Sequence, residues 1–355
     1  MVAPEDWSPF GDCLVLTGVG AHKRLAGDGI NISALRNPDA IEIGDVLRVR
    51  EGSSQISILY RRGSQANTLF VTERCNSLCL MCSQPPRDED DSWRVNELIQ
   101  TIRLIDKDEA QIGFTGGEPT LLGEDFASIL IESRAQLPNT HLHVLTNGRR
   151  FADTHLAQTF VAAGSQATVW AVPLYADVAD IHDEIVVAPG AFEETLAGLY
   201  NLAINRARVE IRVVLHALSV PRLRQLASYI YRRMPFVEHV AFMGLEPMGF
   251  ARANREKLWI DPVDYQEHLA QSVHHLASRG MNVSIYNLPL CVLTETLWPF
   301  ARQSISDWKN VVDEPACLSC AAIDQCSGFF LSADQNWRSR AIHPISIKEL
   351  THEMA

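Results

Sequence analysis

From residue 68 onward, short apolar runs alternate with segments whose apolar positions recur at helical spacing. Residues 68–72 (TLFVT), 111–114, 141–146 (HLHVLT), 167–172, 209–215 and 239–243 read as strands. Between them, 94–106, 125–137, 152–163, 191–205, 222–233 and 263–279 read as helices. Val95, Leu98, Ile99, Ile102 and Ile105 share one helical face, as do Phe192, Leu196, Leu199 and Ala203. Gly164 marks a helix end. About six strand–helix units imply a parallel sheet covered by helices, either a doubly wound sheet or an incomplete barrel.

Residues 1–65 differ. Short strands (13–16, 40–49, 55–60) lie between Gly- and Asp-rich turns, and no helix is evident. After residue 281 the pattern becomes irregular and four cysteines fall within 36 residues, as in segments organised around a metal. The expected division is a β-rich module over 1–65, a core over 66–280, a cysteine domain over 281–340 and a tail over 341–355. Residues 85–91 (PPRDEDD) read as a polar, mobile loop.

Composition changes this picture little. With 46% hydrophobic and 21% charged residues, the 355-residue chain has enough apolar material for a sizeable core. A net charge of −12 argues against nucleic acid or anionic lipid as a general partner. Residues 156–176 are uncharged and long enough for a membrane span, but Gly164-Ser165-Gln166 and Pro173 break them into a helix end, a turn and a strand. Pro4, Glu5, Asp6 and Pro9 occupy the place of a signal-peptide core, so a cytoplasmic protein without a membrane segment is expected.

The cysteines carry the chemistry. Cys75, Cys79 and Cys82 form C-x3-C-x2-C directly after the first core strand. Three thiolates on a four-iron cubane leave one iron without a protein ligand, and an open position is what catalysis needs. A zinc site would want a fourth donor, and no histidine lies between Cys75 and Arg134. Unreactive buried cysteines are the other alternative. Cys291, Cys317, Cys320 and Cys326 form C-x25-C-x2-C-x5-C, four thiolates that suit an iron–sulfur cluster or a structural zinc. Cys13 is left over and reads as a small buried hydrophobe.

Two glycine-bearing turns follow the next strands: Gly116-Gly117-Glu118-Pro119 and Thr146-Asn147-Gly148. Parallel α/β sheets place their sites at the C-terminal ends of strands, so these turns and the cysteine loop would meet in one crevice. Arg212 lies inside the fifth strand and needs a partner, either a structural carboxylate or a bound anion. His182 reads as a helix-capping or surface histidine.

The C-x3-C-x2-C loop followed by GGEP resembles the radical SAM superfamily over about residues 68–330. The resemblance implies a partial (β/α)6 TIM-like barrel, with a small N-terminal β-rich module and a C-terminal iron–sulfur domain of the twitch or SPASM type. It implies a [4Fe–4S] cluster on Cys75, Cys79 and Cys82, with S-adenosylmethionine on the open iron. Met81 stands where the family commonly has an aromatic residue. Gly116, Gly117, Glu118 and Pro119 would contact the cofactor's methionyl end. Thr146 and Asn147 would lie close to it, Arg212 would meet its carboxylate, and the segment Val172-Pro173-Leu174-Tyr175 would lie near the adenosine. Cys291, Cys317, Cys320 and Cys326 would hold an auxiliary [4Fe–4S] cluster. The implied reaction is reductive cleavage of S-adenosylmethionine to a 5′-deoxyadenosyl radical, which abstracts a substrate hydrogen.

The runs Thr72-Glu73-Arg74-Cys75-Asn76 and Met81-Cys82-Ser83-Gln84-Pro85-Pro86 resemble the maturases of the His-Xaa-Ser repeat-peptide system. The implied partners are a ribosomally made precursor peptide, a flavodoxin- or ferredoxin-type reductant and a partner maturase. A radical enzyme of cofactor biosynthesis, or a non-catalytic iron–sulfur or zinc protein, are the other readings.

Overall fold

The computed structural model describes residues 15–16, 31–32, 40–49, 55–303, 310–312 and 315–353. Cys13 lies outside them. The chain forms two compact units, Met1–Gly63 with Leu104–Asp106, and Ser64–Arg103 with Lys107–Ala355.

In the first unit, β1 (Val15–Leu16) pairs in parallel with β2 (Asn31–Ile32), and β3 (Val46–Val49) pairs antiparallel with β4 (Ile56–Tyr60). Asp45 organises the approach to β3. Its carboxylate accepts from the Glu42 and Arg62 backbone N–H groups at 3.1 and 3.2 Å. Gly44 there has φ +102° and lies against Arg62, so a side chain at this turn would be strained.

The second unit is built on β5 (Thr68–Phe70), α1 (Trp93–Leu104), β6 (Gln111–Thr115), α2 (Glu124–Gln136), β7 (His141–Leu145), α3 (Thr154–Gly164) and β8 (Thr168–Pro173). It continues through α4 (Ala179–Val186), α5 (Ala191–Ile204), β9 (Arg208–Leu215), α6 (Leu223–Arg233) and β10 (Val237–Gly244). Then come α7 (Phe250–Ala253), α8 (Arg255–Leu258), α9 (Gln266–Ala277) and β11 (Val283–Tyr286). Strands β5 to β11 form one seven-stranded parallel sheet in sequential order. Such order with helical crossovers is the layout of a partial TIM-like barrel. The cysteine-rich segment carries β12 (Asn310–Val311) paired antiparallel with β13 (Phe329–Phe330), and α10 (Ile347–Glu353) follows.

The six expected strands are present, and β11 adds a seventh within the segment read as irregular. Its apolar run is only four residues long, too short to stand out by periodicity; pairing to β10 defines it. Helix α4 also escaped the pattern, being two turns long. At α3, Asp153 caps the helix by accepting from the N–H groups of His155 and Leu156, which moves the start to Thr154. The left-handed residue at its end is Ser165 (φ 59°), not Gly164. Gly164 serves close packing instead, because a Cβ there would lie 2.6 Å from Thr168 Oγ1.

Strand β9 explains how the sheet has two different faces. Val209, Ile211, Val213 and Leu215 are buried, whereas Arg208, Glu210, Arg212 and Val214 alternate with them and are half-buried. The buried set faces the helices. There Phe114, Phe126, Phe151, Phe160 and Trp170 form a chain of ring contacts 5.0–6.1 Å apart. Each such side chain contributes about 1.5–3 kcal/mol by burial. The other face of β9 lines the barrel interior with charge.

Among the described residues no helix is long and apolar enough to cross a membrane. The uncharged stretch 156–176 folds as the body of α3, a turn, β8 and its continuation.

Candidate active site

The loop that follows β5 is held to β6 by backbone pairing. Val71 N–H donates to Thr115 O (2.7 Å), Gly117 N–H to Thr72 O (2.7 Å) and Glu118 N–H to Arg74 O (2.8 Å). The GGEP turn therefore lies directly on the start of the cysteine loop. The fit needs both glycines. Gly116 has φ +145° and a Cβ on it would lie 2.5 Å from Thr72 O, while a Cβ on Gly117 would overlap Arg74 O.

The far side of the loop rests on α4 and α7. Leu78 and Leu80 N–H groups donate to Val186 O and Ile185 O, Phe250 N–H donates to Cys82 O, and Asn254 Nδ2 donates to Leu80 O. Met81 is buried with Tyr175, Ile185, Val186, Ala251 and Leu258, and Cys79 packs against the same cluster. Met81 thus supplies an apolar contact in place of an aromatic ring.

Asp91 is a contributor that the sequence concealed. Its sequence context reads as a mobile loop, yet it is 2% exposed. Its carboxylate accepts from Thr72 Oγ1 (3.1 Å) and Glu73 N–H (2.6 Å), and Arg94 lies 3.6 Å away. The 85–91 segment is pinned further where Arg87 N–H donates to Glu73 O. The acidic run hides one residue that is structural among neighbours that are solvated.

The TNG turn also docks on the cysteine loop. Asn147 Nδ2 donates to Asn76 Oδ1 (2.6 Å) and stands 3.9 Å from Cys75 Sγ. Arg149 donates to Asn76 O and Ser77 Oγ and pairs with Glu194. Glu118 joins the two turns. Its carboxylate is fully buried and accepts from Thr120 N–H (3.0 Å), Thr120 Oγ1 (2.5 Å), Thr146 Oγ1 (2.7 Å) and Asn147 N–H (2.6 Å). Pro119, also buried, opens the short 3-10 turn that Glu118 caps. The side chains of Glu118 and Thr146 are therefore spent on holding the turns together. What the GGEP turn offers to a ligand is its backbone. Burial pushes the Glu118 carboxyl above the usual range, against the pull of its four hydrogen bonds.

Cys75, Cys79 and Cys82 are half-buried free thiols. Burial, then neighbouring negative charge, pushes the thiols of Cys75 and Cys79 up to about 11 and about 12; Cys75 and Cys82 raise Cys79 directly. Burial raises Cys82 as well, and its Sγ donates to Gln84 O at 3.0 Å. Three thiolates crowded on one buried loop require a strongly positive centre to become stable anions. An iron–sulfur cluster supplies that, and its several irons let the sulfurs stand further apart than ligands of one ion. Among the described residues no group of three or more His, Cys, Asp or Glu side chains is arranged to hold a metal ion. The donor set, three thiols on one loop, is of the kind that holds an iron–sulfur cluster.

Cys291, Cys317, Cys320 and Cys326 are also free. Burial raises the Cys291 thiol to about 11, and the other three thiols add to the rise, so all four lie within electrostatic reach. Backbone N–H groups of Leu290 and Gly328 donate to Cys326 Sγ, and that of Ile345 to Cys320 Sγ, each at 3.4 Å. Donors aimed at sulfur are the outer partners a thiolate–metal centre uses.

Arg212 is placed on the barrel interior. Two of its nitrogens lie 2.9 and 3.2 Å from Met243 Sδ, and Glu210 is 3.8 Å away. His182 is neither a cap nor a surface residue: it is 2% exposed, and its Nδ1 accepts from Tyr175 N–H at 3.3 Å. Its ring stacks on Tyr175, and Tyr175 also contacts His216. Burial lowers His182 to about 4 and His216 to about 3. Both rings are neutral in the folded protein and would be charged below about pH 6.5 in the unfolded one. The unfolded state then binds more protons, so stability is complete above about pH 6.5 and declines as pH falls towards 4. At pH 5 each histidine is expected to cost about 2 kcal/mol relative to pH 7. Thermal unfolding should show His182→Asn and His216→Asn with a shallower loss between these pH values than the parent chain.

Residues 69–216 match the profile described as Radical SAM superfamily. The matched segment runs from β5 to the end of β9 and contains the cysteine trio, both turns and Arg212, so the chain carries a radical SAM domain there. No curated protein matches the chain. Among solved structures, anSMEcpe with bound AdoMet is similar at TM-score 0.47 and 16% identity, over 61% of this chain and 62% of that one. The FeFe-hydrogenase maturase HydG from Carboxydothermus hydrogenoformans is similar at TM-score 0.47 and 8% identity, over 80% and 64%. A radical SAM methyltransferase from Sphaerobacter thermophilus is similar at TM-score 0.45 and 16% identity, over 67% and 70%. The chain thus spans less than two thirds of the length of the first two.

Proposed function

We propose that this chain is a radical SAM enzyme that modifies a ribosomally made peptide of the His-Xaa-Ser repeat type. The observation that carries the first half is the cysteine loop locked between the GGEP and TNG turns at the C-terminal edge of the sheet, with three thiols near enough for Cys75 and Cys82 to raise Cys79. Cys75, Cys79 and Cys82 would hold the cluster, and the backbone of Gly116 and Gly117 would meet the methionyl end of S-adenosylmethionine. When bound, the cluster supplies the electron that splits the S–C5′ bond and so releases the 5′-deoxyadenosyl radical. The residues of this chain hold the loop, orient the cofactor and keep water out. A flavodoxin- or ferredoxin-type protein is the reductant we assign.

The peptide half is supported by the run from Thr72 to Asn76, the run from Met81 to Pro86, and the paired features of a β-rich first unit and a four-cysteine segment. Anaerobic incubation with S-adenosylmethionine, dithionite and synthetic His-Xaa-Ser peptides tests both halves. Release of 5′-deoxyadenosine with a peptide mass change supports both. Release without any mass change across the peptide set removes the peptide assignment, and no release removes the radical assignment.

We assign the second cysteine set to an auxiliary [4Fe–4S] cluster. Reconstituted protein should then contain about eight irons per chain, and Cys320→Ala about four. Zinc in place of iron, with the parent at about four irons, would reject it.

A further inference from the structure

In the sequence, the residues after Arg340 read as a tail beyond the cysteine domain. The structure closes part of that tail onto the second thiol set. Ile345 N–H donates to Cys320 Sγ at 3.4 Å, and Ala321 N–H donates back to Ile345 O at 2.9 Å. The Ile345 side chain is sealed at 1% exposure. Two residues earlier, the His343 backbone N–H acts as a hydrogen-bond donor on the sulfur of Cys291. One short stretch therefore reaches both Cys320 and Cys291, the member of the set that stands apart in the chain.

The local sequence suits this role. Pro344 fixes its own φ and disfavours helix at His343, and residues 342–346 are free of helix until α10 begins at Ile347. In an extended stretch, groups two residues apart point the same way. The N–H groups of His343 and Ile345 are so paired, and the donor that proline lacks would have faced away from the sulfurs.

Cover for Cys320 has to come from such a stretch. Leu318, the large apolar side chain between Cys317 and Cys320, turns outward and is 87% exposed. Cys326 differs, because it takes its donors, Leu290 and Gly328, from within the cysteine domain. N–H groups aimed at sulfur hold a thiolate–metal centre together, and at a cluster they favour the more negative, reduced form.

We propose that residues 343–345 are the clasp of the second metal centre: they position Cys291 and Cys320, slow the escape of the metal and raise the reduction potential of a cluster held there. The clasp rests on the reading that the second set binds metal, and it deepens the assignment of that set to a cluster.

Transfer of metal from the anaerobically reconstituted full chain to a chelator tests it, with Cys320→Ala showing which fraction belongs to the second set. Ile345→Pro removes the N–H and should release that fraction at least about tenfold faster than the parent. Ile345→Val keeps the N–H and should release it at the parent rate. In the iron-loaded protein, redox titration followed by electron paramagnetic resonance should place the second cluster of Ile345→Pro at a lower potential than the parent's, a shift that lost packing alone would not give. Release at the parent rate or an unchanged potential in Ile345→Pro overturns the proposal. Equally fast release from Ile345→Val overturns it too, since the effect would then belong to the side chain. If Ile345→Pro also loses the signal of the trio's cluster, it is misfolded and the parent decides. There, exchange of the Ile345 amide hydrogen should slow at least about tenfold on metal loading, and equal exchange with and without metal overturns the clasp. Zinc in the second set sinks only the cluster assignment, because the release rates are then read on zinc. Iron there with parent-like release from Ile345→Pro sinks only the clasp, and a second set that takes up no metal sinks both.

Discussion

Cys79→Ala is expected to release no measurable 5′-deoxyadenosine from S-adenosylmethionine under dithionite after iron and sulfide reconstitution. Loss of an outer partner of a metal centre costs roughly 10–100-fold, and removal of a direct ligand costs more. Cys79 is the most enclosed of the trio by its environment: it packs with the Met81 cluster, and both other thiols raise it. Nothing adjacent can replace its sulfur, because Leu80 and Met81 carry no thiolate and Leu80 N–H is fixed to Ile185 O. Electron paramagnetic resonance of the reduced protein should show the signal of the trio's cluster gone. Release at the parent rate would show that Cys79 is not a ligand.

Gly117→Ala is the second large effect. The added methyl would overlap Arg74 O, which is backbone and cannot rotate away. The Gly117–Thr72 and Glu118–Arg74 hydrogen bonds leave the turn no direction in which to retreat. Overpacking costs typically about 1–3 kcal/mol, and this one falls between the two segments that frame the site. The expected result is a lower unfolding midpoint, together with a loss of about 100-fold or more in 5′-deoxyadenosine release, the scale of a 1 Å misplacement. Gly63→Ala is the control for a left-handed glycine, since no atom lies near its Cβ position. It should strain its own turn and leave the reaction rate intact. Equal losses in the two variants would mean that the contact with Arg74 is unimportant.

Much of this arrangement can be read along the chain, and the parts that cannot share a cause. The β/α alternation, the C-x3-C-x2-C loop and the placing of GGEP and TNG after consecutive strands depend on spacings of a few residues. Asp91 could not be read that way. It sits in an acidic run that looks solvated, and only the return of the chain to Thr72 and Glu73 buries it. Glu118 reads as a contact for the cofactor's methionyl end until β7 brings Thr146 and Asn147, 28 and 29 positions on, to its oxygens. His182 looked like a surface residue because its helix is two turns long and gives little period to read.

The sequence by itself determined six of the sheet's strands, the long helices between them, their order and the two thiol sets, because periodicity and cysteine spacing are local properties of the chain. Tertiary structure decided which carboxylates are internal struts, that a seventh strand joins the sheet, and that His143, Glu210 and His239 meet. Those outcomes depend on the return of the chain and on inter-strand register, which bring together residues 18 positions apart or more and leave no mark in the sequence near any one of them.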